Sequence, residues 1–137
     1  KEVETEVKRR LDDLAPGGFH MVVTKRGEID LNQGPTVCGV RPSVDVTMQA
    51  GAGAYGADSV GVVLTGMGSD GTIGAAHIRS HGGRVIAEDE STCTVYGMPR
   101  SAFLAGNVDV MVPLPLVSRE IVSMCATGRS ASTGGRS

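Results

Sequence analysis

A glycine-rich turn with a single acid is the part of the sequence best suited to chemistry. It spans residues 66–71 (GMGSDG), and its acid is Asp70. The apolar run at residues 60–64 precedes it, and a continuous run of this kind is typical of a strand buried on both faces. In open α/β sheets, ligands bind just beyond the carboxyl ends of such strands. The turn is therefore the candidate site, and two kinds of chemistry fit its residues.

One interpretation of the turn is a dinucleotide site. Gly66, Gly68 and Gly71 match the pattern G-x-G-x-x-G, and Glu88 and Asp89 follow at the distance of a ribose-binding acid. A carboxylate inside the loop opposes this interpretation, because it repels the negative charge of a pyrophosphate at close range. A Rossmann-like dinucleotide-binding module built on this turn is the alternative function.

The other interpretation is a hydrolytic site of the serine, histidine and acid type. A buried carboxylate at this position, here Asp70, accepts the N–H of a histidine and fixes the tautomer of the ring. It also stabilises the imidazolium that forms when the histidine takes a proton from a serine. Exposed backbone N–H groups of the same turn are suited to stabilise an oxyanion. The residues of the turn alone leave both interpretations open.

The elements around the turn predict an α/β fold with a doubly wound, mainly parallel, Rossmann-like sheet. From residue 60 onward strand and helix patterns alternate, which implies parallel strands joined by right-handed crossovers. A β-hairpin is predicted near the N-terminus around Arg26 and Gly27, and a helix begins after Ser43, with Asp45 placed to favour its dipole. The predicted strands cover residues 20–25, 28–31, 60–64, 84–88 and 108–112, and the later helices cover 72–81, 98–106 and 115–125.

Five segments of the chain, taken together, indicate a known family. They are APGG (15–18), RPSVDV (41–46), LTGMGSDG (64–71), AEDEST (87–92) and VYGMPR (95–100). In this order they resemble the catalytic domain of the chemotaxis protein-glutamate methylesterases, the CheB family. The resemblance extends from about Ala15 to about Val122. Several motifs in one order are far more specific than a single glycine pattern, so we interpret the chain as the C-terminal portion of such a domain.

The resemblance implies an esterase that acts on chemotaxis receptors. Its reaction would hydrolyse glutamyl methyl esters of methyl-accepting receptors, with release of methanol, and deamidate receptor glutamines. In the Ser-His-Asp mechanism of the family, Asp70 corresponds to the triad acid and the backbone N–H of Met67 to one oxyanion donor. Gly66, Gly68 and Gly71 form the turn that presents both groups. The resemblance implies no metal and no organic cofactor, and it places the protein in two-component signal transduction. A cytoplasmic protein is expected, because the apolar runs are too short to span a bilayer and the sequence does not open with a charged region followed by an apolar one.

The chain also departs from the family pattern. The nucleophilic serine of the family, in a Ser-Thr-Gly-Gly turn, and its histidine precede the matched region, so we expect this chain to lack both and to be inactive alone. The regulatory receiver domain is likewise expected to be absent, and Glu88 stands where glutamine is common. Residues 1–126 are predicted as the rear portion of the catalytic domain and residues 127–137 as a flexible Gly/Ser-rich tail. Ser132 lies in a Ser-Thr-Gly-Gly sequence of that tail, but without flanking strand and helix patterns, so it is not assigned as a nucleophile.

Composition narrows the remaining function classes. A net charge of -2 offers no basic surface for nucleic acid, and the apolar runs are too short to cross a bilayer. Cys38, Cys93 and Cys125 stand singly, so we interpret them as reduced thiols rather than as disulfides or a zinc site. His77 and His81 share a helix face, but the sequence offers no third metal ligand nearby. We therefore expect no metal, no nucleic-acid partner and no membrane insertion.

Overall fold

A computed structural model describes residues 14–130, and the side chains of residues 14–126. Within this range, strands and helices follow one another in the predicted order. The strands are β1 (His20–Val23), β2 (Ile29–Asn32), β3 (Val60–Val63), β4 (Arg84–Glu88) and β5 (Val110–Val112). The helices are α1 (Val44–Tyr55), α2 (Thr72–Ser80), α3 (Met98–Leu104) and α4 (Leu114–Ser130), and short 3-10 turns span Gly56–Asp58 and Glu90–Thr92.

The sheet that carries the candidate site is parallel, with the strand order β3, β4, β5. In its register Val62 lies opposite Ile86, and Ile86 lies opposite Val110. β1 and β2 form a separate antiparallel hairpin, whose turn contains Gly27 at φ +81°. The predicted α/β fold, with a parallel sheet and a hairpin near the N-terminus, is thus confirmed.

β4 is the centre of the sheet and is buried on both faces. All of its residues from Val85 to Glu88 are buried, as a strand must be when helices cover both sides. Val117 and Met124 of α4 are buried as well, and α4 contacts β3 and β4. A separate apolar cluster joins the sheet to α1, α2 and α3; its members are Met48, Ala52, Val63, Ala75, Ile78, Val85 and Ala102. The two-sided cover is the doubly wound arrangement that the alternating pattern predicts.

The hairpin packs on α1 and fixes where that helix begins. The Thr47 hydroxyl donates to the Met21 carbonyl at 2.6 Å. His20 is buried, and its ring joins two loops: Nε2 donates to the Pro35 carbonyl at 2.7 Å, and Nδ1 accepts the Ser43 N–H at 3.3 Å. A backbone carbonyl only accepts and a backbone N–H only donates, so these partners define the neutral tautomer with the proton on Nε2. His20 therefore holds the residue that immediately precedes α1.

Several element ends differ from the sequence-based expectation; β1, for example, ends at Val23 rather than at residue 25, and α3 ends at Leu104 rather than at residue 106. β5 begins at Val110 rather than at residue 108, because the Asp109 carboxylate accepts the Val85 N–H at 2.7 Å in place of a ladder bond. α4 ends at Ser130 rather than near residue 125, so its last turn lies within the segment predicted as a flexible tail, and the flexibility of that segment stays a prediction. A helix needs no apolar stripe to propagate once it has formed, which explains the extension. Residues 131–137 lie outside the described residues, and the domain boundary stays a prediction. None of the described helices is long and apolar enough to cross a bilayer.

Candidate functional site

The turn between β3 and α2 lies at the carboxyl edge of the parallel sheet. Both backbone groups of Gly66 are hydrogen-bonded. Its N–H donates to the Val95 carbonyl at 2.9 Å. Its carbonyl accepts the N–H groups of Gly97 at 3.0 Å and Met98 at 2.8 Å. A Cβ at Gly97 would lie 2.7 Å from the Gly66 carbonyl oxygen, so glycine is required for this approach. The turn is therefore fixed to the start of α3.

A buried glutamate at the end of β4 supports the residue that immediately precedes the turn. Glu88 is 1% exposed; its Oε1 accepts the Thr65 N–H and its Oε2 accepts the Thr92 hydroxyl, both at 2.9 Å. The Thr92 oxygen in turn accepts the Leu114 N–H at 2.9 Å. Glu88 thus connects the ends of β3 and β4 with the start of α4, a role that its sequence position did not reveal.

Asp70, the predicted site acid, accepts three hydrogen bonds from the start of α1. It is 7% exposed. Its Oδ1 accepts the Ser43 hydroxyl at 2.7 Å and the Asp45 N–H at 2.9 Å, and its Oδ2 accepts the Val44 N–H at 2.7 Å. These partners are all donors, which matches the hydrogen-bonding capacity of a carboxylate. The carboxylate group of Asp70 is therefore held in one orientation.

Asp45 makes the reciprocal contact at the start of α2. It is 5% exposed, and its Oδ1 accepts the N–H groups of Gly71 at 2.9 Å and Gly74 at 2.7 Å. A Cβ at Gly74 would lie 2.7 Å from the Met48 Cβ and 3.1 Å from the Asp45 Cα, so the two helices approach this closely because residue 74 is glycine. The Asp70 carboxylate, from the turn before α2, thus binds the start of α1, and the Asp45 carboxylate, from α1, binds the start of α2.

These hydrogen bonds correct the roles that the sequence predicted for Ser43 and Asp45. Ser43 immediately precedes α1, as predicted, but its hydroxyl donates to Asp70 and makes no bond to its own helix. Asp45 lies in the first turn of α1, as predicted, but its carboxylate caps α2. An acid near a helix start is visible in a sequence, whereas the helix that it caps depends on tertiary packing. No signal in the sequence specified the partner.

Met67, the predicted oxyanion donor, projects from the turn into solvent. Its side chain is 83% exposed, and no backbone carbonyl among residues 14–130 accepts its N–H. Gly68 has φ +91° and Gly71 has φ +97°, conformations that favour glycine and turn the chain into α2. The structure thus brings Met67 and Asp70 into one turn with an open backbone N–H, while their catalytic roles stay predictions.

The residues of the alternative dinucleotide site make other contacts. Glu88 is buried, and both of its carboxylate oxygens accept hydrogen bonds from the protein. The Asp89 carboxylate accepts the Ser91 hydroxyl at 2.5 Å and the Ser91 N–H at 3.0 Å. These two bonds lower the pKa of Asp89. No observation on the described residues favours a ribose or a pyrophosphate here.

One group of side chains within the described range has the spacing of metal ligands. The Cys38 thiol and the carboxylates of Asp45 and Asp70 offer atoms that all lie within 4.8 Å of one another. The carboxylates already accept the helix-start donors, and the thiol donates to Asp45 Oδ2 at 3.7 Å. His81 Nδ1 bonds to the His77 carbonyl at 2.8 Å, so that pair closes the end of α2. We assign no metal to either group.

An apolar groove of about 600 Å³ lies along β3, between this strand, the hairpin and α1. β4 pairs with one side of β3, and no strand among the described residues pairs with the other side. Ser43 and Val44, which donate to Asp70, form part of the wall, so the groove leads to the site acid. The apolar side chains of the lining include Met21, Val23, Val44, Met48, Val60 and Val62.

Fold and site define a class: a doubly wound α/β domain whose central turn holds a buried acid and an open N–H donor. The CheB methylesterase family model matches residues 4–121. The protein-glutamate methylesterase/protein-glutamine glutaminase 2 of Albidiferax ferrireducens is 44% identical over 116 residues, which are 82% of this chain and 34% of that protein. The corresponding protein of Pyrococcus abyssi is 43% identical over 126 residues, 90% of this chain and 34% of that protein.

A solved structure shows the same likeness. The crystal structure of the Thermotoga maritima CheB methylesterase catalytic domain matches with a TM-score of 0.75 and 38% sequence identity, over 79% of this chain and 59% of that chain. This chain therefore belongs to the CheB methylesterase family. It spans about a third of the length of the relatives that it matches.

Proposed function

We propose that this chain is the rear portion of a cytoplasmic protein-glutamate methylesterase that acts on methyl-accepting chemotaxis receptors and also deamidates their glutamines. The observation that carries the proposal is the turn that presents a buried carboxylate, Asp70, beside an open N–H, Met67. An ester hydrolase of the Ser-His-acid type needs these two groups close together. The names of the relatives from Albidiferax ferrireducens and Pyrococcus abyssi, which give both activities, support the choice of reaction.

Asp70 is the triad acid in this proposal. Among residues 14–126 its Oδ2 has a single donor, the Val44 N–H, and this oxygen therefore keeps the capacity to accept an imidazole N–H. That bond would hold the histidine in the tautomer whose other nitrogen faces the serine. The carboxylate would also stabilise the positive charge that develops on the ring, and more strongly in a buried site than in water.

Met67 supplies an oxyanion donor in this proposal. When a serine adds to an ester carbonyl, negative charge develops on the former carbonyl oxygen, and a fixed N–H directed at that oxygen lowers the barrier. The two-sided fastening of Gly66 fixes the peptide that precedes Met67. Removal of one such donor from a hydrolase typically costs about 10²- to 10³-fold in rate.

The serine and the histidine belong, in this proposal, to the part of the catalytic domain that this chain does not cover. The chain matches 59% of the Thermotoga maritima domain, and the groove beside β3 offers the remainder an apolar surface. A strand that paired in parallel with β3 would end beside the site turn, because the carboxyl ends of parallel strands meet at one sheet edge. Residues that follow such a strand would therefore reach Asp70.

The reaction then runs in two steps. The serine oxygen attacks the ester carbon while the histidine takes the hydroxyl proton, and the intermediate collapses as methanol leaves with that proton. Water next attacks the acyl-enzyme with the histidine as base, which frees the glutamate carboxylate and restores the serine. With a glutamine substrate, ammonia leaves in place of methanol. Asp70 orients the histidine in both steps, and the Met67 N–H binds both oxyanions.

A chimeric domain tests this function. It joins the part of the Thermotoga maritima catalytic domain that this chain does not match to the front of this chain. We expect the chimera to release methanol from a methylated chemoreceptor, and we expect neither part to do so alone. The matched control is the same chimera with the nucleophilic serine of the front part replaced by alanine. A folded chimera that releases no more methanol than this control would contradict the proposal.

A further inference from the structure

We propose that Asp45 is a positioning residue for the reaction, because it holds the turn that carries Met67 and Asp70 in the orientation that catalysis needs. The inference rests on the proposed function of that turn. The buried side chain of Asp45 lies on α1 and not in the turn. Asp45 is not one of the three triad residues. Asp45 would act through Asp70 and would not touch the substrate.

The start of α2 depends on Asp45 for its hydrogen bonds. The residue that precedes α2 is Gly71, which has no side chain with which to cap the helix. The Asp45 carboxylate takes this place by accepting the N–H groups of Gly71 and Gly74. Because Gly71 follows Asp70 directly, the same bond fixes the peptide that joins the site acid to its helix.

The contacts between Asp45 and the turn form a closed ring. The Asp45 N–H donates to Asp70 Oδ1 at 2.9 Å, and the Gly71 N–H donates to Asp45 Oδ1 at 2.9 Å. Two carboxylates and two backbone N–H groups thus hold each other, and both side chains are more than nine-tenths buried. A displacement of the Asp45 oxygen therefore moves Gly71 and, through the chain, the carboxylate of Asp70.

Two substitutions separate the position of the Asp45 oxygen from its charge. Asp45→Asn keeps an acceptor oxygen in place and removes the charge, whereas Asp45→Glu keeps the charge and moves the oxygen by about one carbon–carbon bond, about 1.5 Å. The matched control is Asp109→Glu, because the Asp109 carboxylate also accepts a backbone N–H, that of Val85 at 2.7 Å, but at the amino end of β4. A positioning role predicts that Asp45→Asn resembles the original protein and that Asp45→Glu does not.

The first experiment uses the 137-residue chain and nuclear magnetic resonance. For Asp45→Glu we expect hydrogen exchange at the Gly71 and Gly74 amides to become at least about tenfold faster, with shifted resonances for the Met67 amide and the Asp70 carboxyl carbon. Asp45→Asn should change these exchange rates by less than about threefold, and Asp109→Glu should leave them unchanged. If Asp45→Glu does not fold, Asp45→Ala removes the acceptor without added bulk and should give the same changes.

The second experiment measures methanol release by the chimera described above. For Asp45→Glu we expect kcat to fall about 10- to 100-fold, with KM within about twofold, because misplacement of a catalytic group lowers the rate more than it weakens binding. Asp45→Asn should retain most of kcat. The reverse result, an active Asp45→Glu and an impaired Asp45→Asn, would overturn the proposal in favour of a role for the charge. Unchanged resonances and kcat in every variant would overturn it as well. If the unsubstituted chimera is inactive, the proposed function fails, while the exchange rates still decide whether Asp45 holds the turn.

Discussion

The site turn and the groove along β3 adjoin each other and differ in how far the described residues complete them. At the turn, the buried carboxylates of Asp45, Asp70 and Glu88 all accept backbone N–H groups, and Gly66 is fastened on both sides. Along the groove, apolar side chains such as Val62 face open space, and the strand lacks a partner on that side within the described residues. The polar geometry is therefore set by the described residues, whereas cover for the groove would have to come from outside them.

Because of this difference, substitutions at the turn and in the groove should affect different properties of the protein. A preorganised acid and N–H donor need little rearrangement when charge develops during a reaction, so changes at the turn should act on rate. An open strand edge and an apolar groove favour association with another segment, so changes in the groove should act on assembly. Substitutions at the turn and in the groove should therefore have separate effects on rate and on association.

The largest effect is expected at the site acid. Asp70→Asn in the chimera should lower kcat about 10⁴-fold, because an amide presents an N–H where the histidine needs an acceptor and so favours the wrong tautomer. Methanol release is the measurement. Asp109→Asn, at the opposite edge of the sheet, should stay within about threefold of the unsubstituted chimera. A kcat for Asp70→Asn within tenfold of the original would show that the turn does not supply the acid.

The second-largest effect is expected from a substitution in the groove, and it concerns association with the front part. Val62→Asp should weaken association between this chain and the separately produced front part about 100-fold, because an unpaired charge would be buried on assembly. Calorimetric titration of one part with the other measures this. Val122→Asp is the control, since Val122 is 69% exposed on α4. Equal weakening by both substitutions would mean that the groove is not the assembly surface.

A smaller effect concerns the close approach of α1 and α2. Gly74→Ala should lower the free energy of unfolding by about 1 to 3 kcal/mol, because its Cβ would overlap Met48. Gly53→Ala, on α1 with nothing near its Cβ, should raise that free energy by up to about 1 kcal/mol. Urea unfolding of the chain compares the two variants. If both variants gain stability, the contact between the helices is looser than the structure shows.

The smallest effect concerns a thiol beside Glu88. Burial raises the pKa of Cys93 above its ordinary value of 9.0, and the carboxylates of Glu88 and Asp89 raise it further. Less thiolate is therefore present at pH 8, and Cys93 should be alkylated more slowly than the exposed Cys125. Glu88→Gln removes one negative charge, so it should lower this pKa and speed alkylation at Cys93 by at most about tenfold, with no change at Cys125. An unchanged rate at Cys93 would contradict the placement of Glu88.

Local patterns were sufficient to predict most of the fold. The hairpin around Gly27 and the strands at residues 60–64 and 84–88 follow from turn chemistry and apolar runs, which depend on neighbours in the chain. The predicted end of α4 was wrong, because the apolar stripe stops before the helix does. Helix propagation needs only backbone bonds, which leave no mark in hydrophobic periodicity.

The location of the candidate site could be predicted from the sequence, whereas most of its hydrogen bonds could not. The acid Asp70 and the glycine turn are adjacent in sequence, so their pattern could be recognised together. The supports of that turn come from other elements: Asp45 is 25 residues distant from Asp70, and Glu88 is 23 residues distant from Thr65. Which carboxylate meets which N–H depends on how helices and strands pack, and a single sequence does not encode this in any local pattern.

The crystal structure of the chimera tests the central claim most directly, namely that the turn is one half of a hydrolytic site. We expect an imidazole N–H of the front part to donate to the Asp70 carboxylate at about 2.8 Å, while the Val44 N–H bond to the same group persists. We also expect the front part to occupy the groove beside β3. An imidazole more than about 6 Å from Asp70, in a chimera that releases methanol, would contradict the claim.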